Sequence, residues 1–220
     1  MQARTIGAII LAAGSSTRMG EGRHKLLLPL GGKPVLSYVV DAVCASQARP
    51  IVIVLGHQAE KVRASLLPYE QDCALTYREN PAYSQGMSSS LRVGIQALLE
   101  QGEHTPQAAR QIEGALILLG DQPLITTHVI DRLIAAKQQT NKRIIASLYD
   151  GKRGNPVLFD ASLFPELLAV SGDEGGRSVI EQHRAEMATI EAGSAQASYD
   201  VDTWEAYQQV VAAWHSRQEH

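Results

Sequence analysis

Apolar residues gather into three short runs along the chain, each broken off by a glycine and a polar turn. They are Ile6 to Ala13 before Gly14, "PIVIVLG" from Pro50 to Gly56, and "GALILLGDQP" from Gly114 to Pro123. Runs of this length that do not alternate with polar residues read as strands buried on both faces. Between them the spacing becomes helical. Pro34 suits a first helical turn, and Val35, Leu36, Val39, Val40 and Val43 follow it on one face. A second helical stretch runs from Gly56 to about Leu67. A third, Met87 to Glu100, carries Leu91, Ile95, Leu98 and Leu99, and a fourth runs from Thr127 to Gln139. Weaker strands are expected near Ala74 to Tyr77, in "RIIASLYD" and in "NPVLFD", with a last helix beginning near Thr203. Strands alternating with helices predict an α/β protein with a mostly parallel sheet covered on both faces. The polar segment Glu100 to Gln111 is expected to be a surface loop inside a single domain, residues 1–220, without internal repeats.

Composition adds exclusions. With 220 residues, 45% of them hydrophobic and 20% charged, the chain is too apolar for disorder and large enough for a core without staples. Cys44 and Cys73 have no metal-ligand spacing and no Cys-x-x-Cys arrangement, so buried thiols in a reducing cytoplasm are expected. A formal net charge of -3 argues against a nucleic-acid partner, and the N-terminal apolar run is too short to span a membrane.

In parallel sheets, ligands sit beyond the carboxyl ends of the strands. The two most apolar strands end at Ala13 and Leu119, so the loops beginning there are the first places to look for chemistry. Gly14 to Gly20 is rich in small residues that let backbone N–H groups approach an anion. It is not a Walker A loop, because Glu21 stands where that motif needs lysine, and no Gly-x-Gly-x-x-Gly follows the strand. Arg18 can grip phosphate oxygens in a fork and Lys25 supplies a compact charge, although two solvated surface cations would look the same. Asp121 reads equally as a helix cap or as a hard-oxygen ligand for Mg²⁺. In "YDVDTWEAY", Asp200 and Asp202 form an acidic pair, where Asp202 alone would read as the cap of the last helix. The serines after Gly86 either satisfy helix N–H groups or read a base edge. Arg153 and Arg177 lie in two further glycine-bearing turns. No zinc spacing and no Gly-x-Ser-x-Gly elbow occurs, and His24 and His57 read as solvated loop residues.

Together "LAAGSSTRMG", "KLLLPLGGKPVL", "NPAYSQGMSSSLRVG", "GDQPLIT", "RGNPVLF", "GDEGGR" and "DVDT", in this order, resemble the MobA-like nucleotidyltransferases, and among them the molybdenum cofactor cytidylyltransferases. That resemblance implies a three-layer α/β/α Rossmann-like nucleotidyltransferase fold and Mg²⁺-dependent transfer of CMP from CTP to the terminal phosphate of molybdenum cofactor, with release of pyrophosphate. By position it assigns Leu11, Ala12, Ala13, Gly14, Ser15 and Ser16 to the nucleotide loop, and Gly86, Ser88 and Ser89 to the neighbourhood of the base. Arg18 and Lys25 become catalytic triphosphate clamps, and Asp121, also catalytic, shares the metal with Asp202. Gln122, Asn155, Asp173 and Arg177 fall on the substrate side. Guanylyl-transferring relatives look like Leu-Ala-Gly-Gly where this chain has Leu-Ala-Ala-Gly, which makes Ala13 the clue to CTP. Glu21 and Gly22 depart from the pattern as two extra residues before the lysine segment. A molybdenum hydroxylase receiving the product is the implied partner. Transfer to a different phosphorylated acceptor and a non-catalytic cofactor carrier remain the competing readings. A nicotinamide or flavin oxidoreductase is disfavoured by the missing dinucleotide fingerprint.

Overall fold

The three apolar runs lie side by side at the centre of one sheet. The computed structural model describes residues 5–20, 22–103 and 112–218. In chain order the elements are β1 Thr5–Ala12, β2 Pro29–Leu30, β3 Lys33–Pro34, α1 Val35–Cys44, β4 Ile51–Leu55, α2 Ala59–Leu66, β5 Leu75–Glu79 and α3 Met87–Glu103. They continue with β6 Ile112–Leu119, α4 Thr127–Gln139, β7 Ile144–Tyr149, β8 Lys152–Asp160, α5 Phe164–Ala169, α6 Arg177–Gln182, β9 Met187–Gly193 and α7 Trp204–Gln218. Seven strands form the main sheet in the order β5-β4-β1-β6-β8-β7-β9, and β2 with β3 makes a separate hairpin. Only β8 runs against its neighbours; the pairings β5-β4, β4-β1, β1-β6 and β7-β9 are parallel. This is the mostly parallel, three-layer α/β arrangement that the resemblance implies.

Alternation along β1 builds two cores at once. Ile6, Ala8 and Ile10 join the layer of α1, α2 and α4, while Ile9 and Ala13 join the layer of α3, α5 and α6. A third cluster, with Met19, Leu30, Val35, Leu124, Val201 and Val210, lies under α7. There Tyr207 donates its hydroxyl to the Pro29 carbonyl, and Tyr38 donates to Leu30 O at 2.6 Å. The β2–β3 hairpin is thereby pinned close to the loop that follows β1. Chain order leaves β1 between β4 and β6, so the strand order reverses there and a crevice opens beyond their carboxyl ends.

Several expectations need correction. The two cysteines are not thiols: Cys44 and Cys73 form a disulfide with Cα atoms 5.9 Å apart. The pairing of β4 with β5 brings the end of α1 next to the residues entering β5, a proximity that a separation of 29 residues conceals. α3 continues through Glu103, so the first residues of the expected loop are helical; residues 104–111, like Glu21, lie outside the described residues. α5, α6 and β9 were not expected, since α5 and α6 have 6 residues each and β9 is only half buried. Among the described residues no helix is long and apolar enough to cross a membrane.

Candidate active site

The chain leaves β1 into a loop that is exposed at Gly14 and Ser15 and turns at Ser16, whose φ of 56° is a left-handed conformation costly for a residue with a side chain. The hydroxyl of Ser16 accepts a hydrogen bond from Lys25 N at 3.1 Å, which closes the loop on itself. Lys25 then reaches across the crevice. Its Nζ donates to Asp121 Oδ2 and, at 2.7 Å, to Asp202 Oδ1. Arg18 Nη2 lies 3.2 Å from Asp202 Oδ2. Residues that are 96 and 177 positions apart from Lys25 thus meet on one ammonium group.

Neither aspartate is a helix cap. α4 is capped by Thr126, which accepts from Val129 N, and α7 by Thr203, whose hydroxyl accepts from Ala206 N at 3.2 Å. Asp121 and Asp202 are free to face the crevice, and Val201 N donates to Asp121 O at 3.0 Å to hold their two loops together. Burial lowers the Lys25 pKa, but its two carboxylate partners outweigh that and hold it above the ordinary lysine value. Burial pushes Asp202 up, while the Lys25 hydrogen bond and the charges of Lys25 and Arg18 bring it net below the ordinary carboxylate value. Asp200, beside them, is raised by burial and then by the charges of Asp121 and Asp202.

Around these groups lies a cavity of about 410 Å³. Leu11, Ala12, Ala13, Gly14, Ser15, Ser16, Arg18, Lys25, Gly86, Asp121 and Asp202 all line it. Asp173 also lines it, together with residues not assigned from the sequence: Tyr83, Ser84, Met87, Ser90 and Asp200. Tyr83, Ser84, Met87 and Ser90 all fall inside the block "NPAYSQGMSSSLRVG", so the signal was present but its helical phase was not. Ser88 and Ser89 turn away from the cavity. Ser88 is fully buried and donates to Ser171 O, while Ser89 donates to backbone carbonyls of Ala82 and Gly86.

A second cavity of about 320 Å³ adjoins the first and is lined by Asn155, Arg177, Arg153 and Asp173 above an apolar floor that includes Leu91, Ile117, Val157 and Phe159. Gln122 lines neither cavity. It is buried, and its amide donates to Ser198 O at 3.1 Å. His24 is not a solvated loop residue: it is 5% exposed, bonded through Nε2 to His57 O at 3.1 Å and stacked on the His57 ring. Burial first, and then the charges of His57, Lys25 and Lys61, hold its pKa below the ordinary histidine value, although the bond to His57 O opposes them.

Among the described residues no group of three or more His, Cys, Asp or Glu side chains is arranged to hold a metal. The chemistry of the donors nonetheless suits a hard divalent cation. Asp121 Oδ1 is buried without a hydrogen-bond partner, Asp202 lines the same cavity, and Mg²⁺ commonly takes one or two carboxylates with phosphates completing its shell.

The MobA-like NTP transferase domain matches residues 8–187, which include the loop after β1, Lys25 and Asp121. The chain belongs to this family. Nicotine blue oxidoreductase of Paenarthrobacter nicotinovorans is 30% identical over 91% of this chain and 93% of its own length. The bifunctional protein GlmU of Syntrophotalea carbinolica is 34% identical over 63% of the chain, which spans only 27% of that longer protein. Rv0371c from Mycobacterium tuberculosis superposes with a TM-score of 0.76 at 25% identity, covering 94% of this chain and 98% of its own. The same protein has been solved in complex with manganese. As a MobA-like domain the chain keeps its charged groups at the switch point of the sheet. Asp202 lies beyond the matched residues and is brought to the site by its neighbour Val201, which bonds to Asp121 O and packs in the cluster under α7.

Proposed function

We propose that this protein, as a single nucleotidyltransferase domain, transfers CMP from CTP to the terminal phosphate of molybdenum cofactor and releases pyrophosphate. The observation that carries the reading is the bridging of Asp121 and Asp202 by Lys25 beside an anion-ready loop, in a cavity that shares a wall with a second one. The larger cavity takes the triphosphate and the smaller one the acceptor, with Asn155 and Arg177 at its rim. An acceptor phosphate oxygen attacks the α-phosphorus in line; the new P–O bond forms as the bond to the β-phosphate oxygen breaks, and the electron pair leaves with pyrophosphate. The nucleophile is already an anion, so no general base is required and catalysis consists of positioning and charge neutralisation. Asp121 and Asp202 would hold Mg²⁺, which supplies charge neutralisation to the phosphates when bound. Arg18 and Lys25 neutralise the departing pyrophosphate.

CTP is preferred because Ala13 places a methyl group where guanylyl-transferring relatives have glycine. That methyl is packed from behind: a Cβ on Gly56 would lie 2.8 Å from it, so the wall has no room to retreat. The receiving partner is a molybdenum hydroxylase. A pyrophosphate-release assay crossing CTP, GTP, ATP and UTP, with and without molybdenum cofactor, tests this. Release with CTP only, and only when the cofactor is present, is expected; equal release with GTP, or with an unrelated phosphate acceptor alone, overturns it.

A second reading has one observation in its favour, the name of the 30% identical relative, an oxidoreductase. It predicts NAD(P)H binding to the larger cavity. The absence of a Gly-x-Gly-x-x-Gly after β1 argues against it, and equilibrium titration with NAD(P)H separates the two readings.

A further inference from the structure

The two cavities share Leu11, Met87, Leu119 and Asp173. Of these, Met87 begins α3 and Asp173 ends the segment Val170 to Asp173, which is laid across the start of that helix. Four hydrogen bonds join the two. Met87 N donates to Asp173 Oδ1 at 3.0 Å and Ser88 N to Gly172 O at 3.1 Å. Ser88 Oγ donates to Ser171 O at 3.2 Å, and Arg92 Nη1 to Val170 O at 2.6 Å. The approach is as close as backbone permits: Gly86 has φ 104°, and a Cβ there would lie 2.5 Å from Gly172 O.

From the opposite side Asn80, only 2% exposed, donates to Ser89 Oγ at 2.8 Å and Ser90 Oγ at 2.9 Å while accepting from Ala82 N at 3.0 Å. The start of α3 is therefore clamped between a buried amide and a crossing strap. A helix begins with N–H groups that lack partners, and Gly86 has no side chain with which to serve them. Asp173 supplies the acceptor from another part of the chain, and a carboxylate at this end of a helix also meets the favourable end of its dipole.

Accepting the assignment of the two cavities made above, we propose that Asp173 is a positioning residue. Its carboxylate caps α3 from one end of the strap, Arg92 anchors the other end, and together they hold the nucleotide and acceptor cavities in one register. The strap ties the wall of the acceptor cavity to Gly86, Met87 and Ser90, which line the nucleotide cavity. Arg92 lines neither cavity, so an effect of its removal on nucleotide binding has to pass through the strap.

The test is calorimetric titration of the full chain with CTP and Mg²⁺, alongside steady-state KM and kcat. Arg92→Ala and Asp173→Ala are each expected to weaken CTP binding by on the order of 5-fold, the size of a lost helix cap. The double variant should lose less than the product of the two, because both act on one strap. Asp173→Asn keeps an acceptor oxygen and Arg92→Lys keeps a donor, so each should recover most of the binding that its alanine counterpart loses. These conservative variants also cover an alanine variant that fails to fold. Arg92→Ala binding CTP as tightly as the unaltered protein overturns the proposal. So does Asp173→Asn behaving like Asp173→Ala with only the acceptor KM raised, since the carboxylate would then be an acceptor ligand. If the unaltered protein binds no nucleoside triphosphate, the cavity assignment itself fails, which is a result distinct from either.

Discussion

Lys25 sits between two carboxylates that would otherwise repel each other. At short range in a partly buried site such charge pairs are screened much less than surface ones, which is why the carboxylates outweigh the burial that opposes them. Removal of Asp121 takes away both the buried unpartnered oxygen and one of the two partners of Lys25. Asp121→Ala is expected to lower Mg²⁺-dependent pyrophosphate release by about 10²-fold or more, the usual size of a lost preorganised electrostatic contact, with an unchanged far-ultraviolet dichroism spectrum. Wild-type turnover in that variant would take Asp121 out of the site. Arg18, Lys25 and Asp121 stood out in the sequence as charges following the two most apolar strands, whereas Asp202 read alone as a helix cap and took its metal role from the family resemblance. The serines were not legible. Composition shows that three of them begin α3, but which faces the cavity depends on helical phase, and phase put Ser90 there while Ser88 and Ser89 were turned to the strap and to Asn80.

At the scale of elements the Cys44–Cys73 bond is the feature that composition misjudged. It joins the end of α1 to the residues before β5, at the amino ends of β4 and β5, whereas the crevice opens beyond the carboxyl ends of the strands. A cross-link closing a loop of 29 residues stabilises by about 3–4 kcal/mol in the chain-entropy account. Reduction should therefore lower the urea midpoint markedly while leaving CTP affinity unchanged, as should the Cys44→Ser, Cys73→Ser double variant. An unaltered midpoint removes the bond from the stability of the fold, and a lost CTP affinity shows the two ends of the sheet to be coupled. The strongly apolar strands and the long amphipathic helices could be read directly from their patterns. α5, α6 and β9 could not, since 6 or 7 residues hold too few turns or alternations to stand above their neighbours, and tertiary packing decides them.

For the molecule as a whole, the parallel α/β class followed from strand and helix alternation, but the antiparallel insertion of β8 between β6 and β7 rests on pairings between distant residues that no local pattern carries. That far half of the sheet is held by two charged clusters with opposite responses to pH. Lys137 donates to Asp160 Oδ2 at 2.6 Å, tying α4 to β8. Burial raises the Asp160 pKa, but the hydrogen bonds from Lys137 and Ser162 outweigh it and leave the carboxyl below its ordinary value. Its stabilisation is present above the ordinary carboxylate pKa and is lost as pH falls through the depressed value. His183 is held between Glu186 Oε1 at 2.9 Å and Glu166 Oε2 at 2.7 Å, joining the end of α6 to α5 and to the turn before β9. The Glu186 bond first, then the Glu166 bond, raise its pKa above the ordinary histidine value against the opposing charge of Arg143. That contribution is complete below a pKa of about 6.5 and disappears as pH rises through the raised value. Thermal midpoints measured against pH should therefore fall on both sides of a plateau. Lys137→Met should flatten the acid side alone, whereas His183→Gln should flatten the neutral-to-alkaline side and also soften the acid side, because the His183 hydrogen bond is the main cause holding the Glu186 carboxyl below its ordinary value. If the His183→Gln curve runs parallel to the unaltered one between about pH 6 and 8, the histidine does not couple protonation to the far edge of the sheet, and the alkaline decline must come from elsewhere.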